Sequence, residues 1–392
     1  MTNVVVIGCG VVGAAIAYEL SQIPGLTITV LDRQPPAQAA TGAALGVLMG
    51  AISQKIKGKA LQMRLASIQR YNTLIPELEA IAGHNIPFNQ QGILKLCFAG
   101  EDLTTWEKLV KIRQSQGWQL EILYPAQLQS DYPQLCHENI VAAVYSPQDR
   151  QVNPTALTLA LVAAAQRNGV RFQFGTSVQD FVCSTQQNQS GGTPSLQVCQ
   201  TIQTDTGSLA VDWVVVAAGL GSTPLTATLK QPLELKPILG QALQVHLDQP
   251  LGHLHLQPVI TGDDVHIVPL GQGDYWVGAT VEFPTEDPTQ GDLEPDPARL
   301  QAVMQQAIAF CPTLAQATVI RTWSGLRPRP EGRPAPVIGA LPGYSNILLA
   351  TGHYRNGILL APATAQAVRE AIVNAQLASE PAGAEDNVPS AL

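Results

Sequence analysis

The sequence predicts an α/β protein in which a parallel-sheet domain is interleaved with a mixed, mostly antiparallel α+β domain. Three observations carry this reading. An apolar, β-branched run near the N-terminus ends in a glycine turn and restarts as a helix. The same strand-to-glycine-turn pattern returns around residues 213–222 and again around 347–357, so the parallel part draws on distant segments. Between these returns, residues 235–282 contain runs that alternate with the period of two of half-buried antiparallel strands.

The elements follow in order. Val4–Ile7 is a strand, Val11–Gln22 a helix, and Thr27–Leu31 a second β-branched strand ending at Asp32, which completes a βαβ unit. A small-residue loop, Ala37–Gly50, leads into an amphipathic helix at Lys59–Ala82. Short strands such as Gly92–Phe98 and a helix at Leu103–Gln116 come next. A helix at Pro154–Asn168 feeds a strand at Val170–Phe174, and the polar run Ser184–Ser195 reads as a surface hairpin loop. Strand Trp213–Ala217 ends in Ala218-Gly219-Leu220-Gly221-Ser222. Alternation places antiparallel strands at Gln244–Leu247 and Tyr275–Gly278, and a helix at Pro297–Phe310 precedes a strand at Thr318–Thr322. The last unit is the strand Ile347–Thr351, the turn Gly352–Gly357 and a helix to about Asn374. The Pro-, Ala- and acid-rich tail, 379–392, is expected to be disordered.

Composition narrows the function. Hydrophobic residues make up 45% of the 392, ample for a sizeable core, while charged residues make up 13%, against a usual ~25%. So few charges fit a large core and equally a protein that touches a membrane surface. A formal charge of −8 argues against nucleic acid, whose phosphates need clustered Lys and Arg, and against a polybasic membrane anchor. The cysteines Cys9, Cys97, Cys136, Cys183, Cys199 and Cys311 lie far apart with no C-x-x-C pair. Buried thiols in a reducing compartment are therefore expected, without disulfides or a metal site. The apolar start lacks the basic region of a signal peptide, the first cation being Arg33. No run reaches the ~18 apolar residues of a spanning helix. A cytoplasmic protein is the expectation.

Gly8-Cys9-Gly10-Val11-Val12-Gly13 falls between a strand and a helix. The first glycine allows a tight turn, the second lets the backbone approach a pyrophosphate, and the third lets helix and strand pack closely. The helix N-terminus then offers free N–H groups and a positive dipole end to the anion. Asp32, at the end of the next strand, can accept from ribose hydroxyls. Strand, helix, second strand and acid agree on a dinucleotide, but NAD and FAD satisfy them equally.

Further segments separate the two by resemblance. They are Thr41-Gly42-Ala43-Ala44-Leu45-Gly46-Val47-Leu48, the strand Asp212–Gly219, and Trp323-Ser324-Gly325-Leu326-Arg327-Pro328 followed by Gly352-His353-Tyr354-Arg355-Asn356-Gly357-Ile358-Leu359-Leu360-Ala361-Pro362. With Gln151–Pro154 and Gly278–Thr280, they resemble the D-amino-acid-oxidase family of FAD-dependent oxidoreductases, most closely glycine oxidases, from residue 3 to about 375. The resemblance implies a Rossmann-type FAD-binding domain of residues 1–84, 147–228 and 323–378, and a substrate domain of 85–146 and 229–322. It implies FAD held at the first glycine turn (Gly8, Gly10, Val11, Val12, Gly13) and at Asp32 and Arg33. The small-residue loop (Thr41, Ala43, Ala44, Gly46, Val47) would lie over the ring, with Val178, Ala218 and Gly219 on returning strands. The last turn would supply Gly352, His353, Arg355, Asn356, Gly357 and Ile358. That turn has physics of its own, because a helix N-terminus can stabilise the negative charge of a reduced flavin.

Arg355, in that turn, could grip an amino-acid carboxylate through two parallel hydrogen bonds. Resemblance adds Arg327 to the same carboxylate. His266 stands where the family tends to have tyrosine before Ile-Val-Pro, and a pocket histidine there titrates near neutrality. Val47 replaces a frequent methionine and Leu239 a usual arginine, which puts glycine itself in doubt as substrate. The implied reaction is oxidative deamination of a small amino acid or amine, with hydride passing from Cα to flavin N5 and the imine hydrolysing in water. Oxygen as electron acceptor makes it an oxidase; a quinone or other carrier makes it a dehydrogenase, open to L-amino acids. A flavin-binding protein without turnover is the reading from another class. A role in thiazole biosynthesis follows from resemblance alone.

Overall fold

The computed structural model describes residues 1–186, 195–284 and 293–379. The tip of the expected loop within Ser184–Ser195 and the expected tail beyond Ser379 lie outside the described residues.

Two large sheets organise the chain. The first has six strands in the order Val337–Ala340, Ile347–Thr351, Trp213–Val216, Thr2–Ile7, Leu26–Asp32, Arg171–Phe174. All pair in parallel except the edge strand Val337–Ala340. The central strands read as continuous apolar runs because both of their faces are covered. Val4, Val6 and Val30 pack under the helices Val11–Leu20, Pro154–Arg167 and Gly357–Ser379. Val5, Ile7, Leu31, Val214 and Val216 pack against a three-stranded sheet that includes Val178–Gln186 and Leu196–Thr204.

The second sheet has eight strands in the order Thr318–Pro330, Leu235–His246, Asp274–Gly278, Val265–Gly271, Val259–Gly262, Ile93–Phe98, Ile140–Ser146, Glu121–Leu123. Among the described residues its only parallel pair is Val259–Gly262 with Ile93–Phe98. Alternation along its strands sorts two faces. Leu243, Val245, Ile260, Ile267 and Val277 form a core with the helix Pro297–Phe310. Ala242, Val259, Val268 and Trp276 join the core of the first domain instead.

One expected strand is longer than foreseen. The strand foreseen at Thr318–Thr322 runs on to Pro330, and Leu235–Gln244 pairs with Arg321–Pro330 along that length. Residue 323 therefore lies inside a strand, and Trp323–Pro330 is paired into the second sheet. A small sheet, Val47–Leu48 with Arg150–Val152 and Phe88–Asn89, straps the small-residue loop beside the junction.

Candidate cofactor and substrate site

Parallel pairing puts Gly8, Asp32, Gly219 and Gly352 at the carboxyl ends of neighbouring strands, the place where such sheets bind ligands. The glycine turn shows why each position is small. Gly8 has φ +107°, and a Cβ there would stand 2.6 Å from Ala217 O. A Cβ on Gly13 would overlap the Gly8 carbonyl. Gly10 differs: its Cβ would meet only Thr41 Oγ1, at 3.1 Å, so the space above it is open. Gly10 caps the helix without a side-chain hydrogen bond, and Val11 N donates to Thr41 Oγ1 at 3.1 Å.

Asp32 ties its strand end to this turn. Oδ2 accepts from Cys9 N at 2.6 Å and Oδ1 from Gln34 N at 2.9 Å. Each carboxylate oxygen keeps a second lone pair for a ribose hydroxyl. Burial, helped by Asp32, pushes the Cys9 thiol up to about 12, so it is inert. Arg33 is exposed just beyond, Val12 is buried in the helix, and Val178 packs on the core beneath Ile7 and Leu31.

The small-residue loop and the last turn close on this edge. Gly46, at φ +73°, has no room for a Cβ beside Val152 O, and Ala43 lies against Gly325. Trp323 Nε1 donates to Ala43 O at 3.0 Å. Ala44 and Val47 pack on the main core. Ala218 precedes Gly219, whose carbonyl accepts from Thr351 Oγ1 at 3.2 Å. Gly352 (φ +65°) turns the chain against Pro330. His353 is buried with Nε2 2.9 Å from Thr364 Oγ1, and burial pulls its pKa down to about 4. The Tyr71 hydroxyl donates to Ile358 O at 2.5 Å, holding the first turn of the helix that Gly357 opens. An open glycine turn, a strand-end carboxylate and a second helix N-terminus fit a long dinucleotide better than a small anion.

The candidate substrate side is a row of residues across the second sheet. Lys95 pairs with Thr261, Thr261 with His266, His266 with Gly278, Gly278 with Ala242, and Ala242 with Trp323. All share the face that meets the first domain, and Arg327 shares it too by alternation from Trp323. Gly278 and Ala242 leave a bare floor. His266 Nδ1 lies 2.9 Å from Thr261 Oγ1. Burial, then Arg355, lowers the His266 pKa to about 4, with Lys95 and Arg327 adding and Asp264 opposing. His266 is therefore neutral at pH 7, correcting the expectation of titration near neutrality.

Arg327 Nη1 donates to Leu239 O at 3.1 Å, and its guanidinium lies over Gly240. Burial and the neighbouring Arg355 charge lower its pKa. Arg355 Nη2 is 3.6 Å from Asp264 Oδ1, a partly exposed pair. Arg327 has no ion pair among the described residues. Arg327, Arg355 and His266 are thus brought together. Sequence reading missed Lys95, Thr261 and Asp264. Lys95 was detectable as the one charge in Ile93-Leu94-Lys95-Leu96-Cys97, but its neighbours were not.

A family model described as FAD dependent oxidoreductase (DAO) matches residues 3–371. The chain is 32% identical over 375 residues to the bifunctional protein ThiO/ThiG of Trichormus variabilis, covering 95% of this chain and 52% of that one. It thus spans about half the length of such relatives. It is 29% identical over 374 residues to glycine oxidase of Bacillus subtilis, covering 95% and 93%. The crystal structure of glycine oxidase from Geobacillus kaustophilus matches with a TM-score of 0.82 at 26% identity, covering 98% and 97%. L-proline dehydrogenase from P. horikoshii, at 22% identity and a TM-score of 0.80, shares the fold. The match runs from the first strand into the last helix, and this chain belongs to the DAO family of FAD-dependent oxidoreductases.

Proposed function

We propose that the chain catalyses oxidative deamination of a small amino acid or amine, with FAD as cofactor and oxygen as electron acceptor. One observation carries the reading. Arg327, desolvated and without an ion pair among the described residues, stands beside Arg355 on the sheet face that meets the small-residue loop. Two adjacent guanidiniums repel, and a substrate carboxylate between them removes that repulsion while accepting bidentate hydrogen bonds.

FAD, when bound, supplies the two-electron acceptor for oxidation of the C–N bond. Gly8, Gly10, Val11, Val12 and Gly13 would cradle its pyrophosphate, with Asp32 on the ribose and Arg33 at the rim. Thr41, Ala43, Ala44, Gly46 and Val47 would back the ring on one side, and Gly352–Ile358 would meet it on the other. Arg327 and Arg355 would hold the carboxylate and so aim the substrate Cα at the ring, and this positioning supplies most of the rate. His266, neutral with Nδ1 turned to Thr261, would present an uncharged ring to the amino group, while the nearby Arg355, Lys95 and Arg327 charges would disfavour its protonated form. The bare floor at Gly278 and Ala242 suits a small substrate. The imine product then hydrolyses in water to an oxo acid and ammonia.

Anaerobic titration with glycine, sarcosine and D- and L-amino acids, followed by readmission of air, tests this reading. Bleaching of the visible flavin band by a small substrate, with rapid recovery and peroxide in air, is the expected result. Slow recovery in air with fast recovery on adding a quinone would make it a dehydrogenase. No bleaching by any amino acid or amine would leave a flavin-binding protein without this chemistry.

A further inference from the structure

We propose that Arg64 is a positioning residue for the cofactor, joining the end of the small-residue loop to the turn that opens the last helix. Arg64 sits on the helix Lys59–Ala82, outside every glycine motif. Its Nη1 donates to Met49 O and its Nη2 to Asn356 Oδ1, both at 2.9 Å. One rigid fork therefore sets the spacing between two segments from opposite ends of the chain.

The fork is backed by other buried charges. Asp149 accepts from Gly50 N, Ala51 N and Ile52 N at 2.7, 2.8 and 2.8 Å. Arg113 donates to the carbonyls of Ala51, Ser53 and Lys55 at 2.7, 2.7 and 2.6 Å. The backbone after Met49 is thus gripped from several directions. Asp149 also opposes the loss of Arg64 basicity caused by burial, so the guanidinium keeps its charge. Of these charges, Arg64 is the one that reaches the last turn. Tyr71, two turns along the same helix face, holds Ile358 O at 2.5 Å. The helix therefore fixes that turn at two points, Asn356 and Ile358, and of these two ties the Arg64 one also holds the loop, at Met49 O.

Buried charge costs desolvation that an apolar anchor would avoid, so its gain is defined geometry rather than stability. The inference rests on FAD binding between these two segments. With Asn356 Oδ1 taken by Arg64, loss of either partner should let the turn drift and the cofactor leave faster.

The test is the rate of FAD release from the holoenzyme on dilution, followed by the rise in flavin fluorescence. Arg64→Met should speed release by roughly 10–100-fold, the loss of a charge-assisted hydrogen-bond pair. Arg64→Lys should recover part of this, Asn356→Ala should also speed release, and the double variant should add little to either single one. A folded Arg64→Met protein that purifies without flavin is the extreme of the same result. Wild-type release rates in Asn356→Ala would overturn the proposal even if Arg64→Met does not fold, and where it folds, fully additive losses in the double variant would overturn it too. A wild-type protein that never carries FAD would instead overturn the cofactor reading.

Discussion

The Arg327 guanidinium fills the space where residue 240 would carry a Cβ, so Gly240 and Arg327 work as one unit. The two strands run antiparallel, with Gly240 opposite Gly325 and Arg327 opposite Ile238. That leaves a trough along which the side chain lies, ending in its bond to Leu239 O. Gly240→Ala should push the guanidinium off its seat without removing its charge. We expect kcat/KM to fall by roughly 10–100-fold, the worth of a charge-assisted hydrogen bond. The flavin spectrum should not change. Wild-type kinetics in this variant would show that Arg327 does not need its seat.

Arg355 reaches the exposed Asp264 only loosely, at 3.6 Å, so a substrate carboxylate can compete for it. Arg355→Ala should retain FAD but raise KM steeply, with a smaller effect on kcat, as expected for lost substrate binding. Steady-state kinetics with the best substrate decide this. Unchanged KM and kcat would remove Arg355 from the site.

Gly10 and Gly13 should separate ligand space from packing space. Gly13→Ala drives a methyl into the Gly8 carbonyl and should lower the melting temperature of the protein itself. Gly10→Ala meets only Thr41 Oγ1 at 3.1 Å and should fold normally. Its methyl should instead weaken FAD binding, which is read as flavin content at matched thermal stability. Equal effects of the two substitutions on stability would argue against a ligand above Gly10.

Asp149 is fully buried, and its carboxylate accepts three backbone N–H groups. Asp149→Asn turns an amide N–H toward one of these donors and removes the charge facing Arg64 and Arg113. A loss of about 3 kcal/mol in urea-unfolding free energy is expected. A loss below about 1 kcal/mol would mean the loop is held mainly by Arg113 and packing.

His353 gives the stability a pH dependence of known sign. Burial holds its folded pKa at about 4, below the unfolded value of about 6.5. The unfolded chain therefore binds more protons between these values, and stability falls as pH drops from 6.5 toward 4. Below the folded pKa both states are protonated and this contribution stops changing. His353→Gln keeps a partner for Thr364 and should lessen the slope of the melting-temperature profile across that window, leaving the share of His266, whose folded pKa is also about 4. An unaltered slope would place the proton uptake elsewhere.

The local code determined a good deal. Gly8 to Gly13 followed by a strand ending at Asp32 pointed to the strand edge proposed for the dinucleotide, because tight turns and close helix packing leave only glycine acceptable at Gly8 and Gly13. The last turn was legible for the same reason. Arg327, Arg355 and His266 were legible as chemistry, although nothing local showed that they meet. Tertiary structure decided the rest. Strand register lined up Lys95, Thr261 and His266 on one face, and a slip of one residue would have turned each away. Pairing with Leu235–His246 carried the strand at Thr318 through Pro330 and placed Trp323 and Arg327 on the eight-stranded sheet. Burial beside Arg355 pulls the His266 pKa down to about 4, which its residue type alone could not show. Arg64 stands 292 residues from Asn356, and nothing in the sequence around either names the other. Turns and caps obey short-range sterics that a sequence displays, whereas convergence of charges depends on the packing of distant segments.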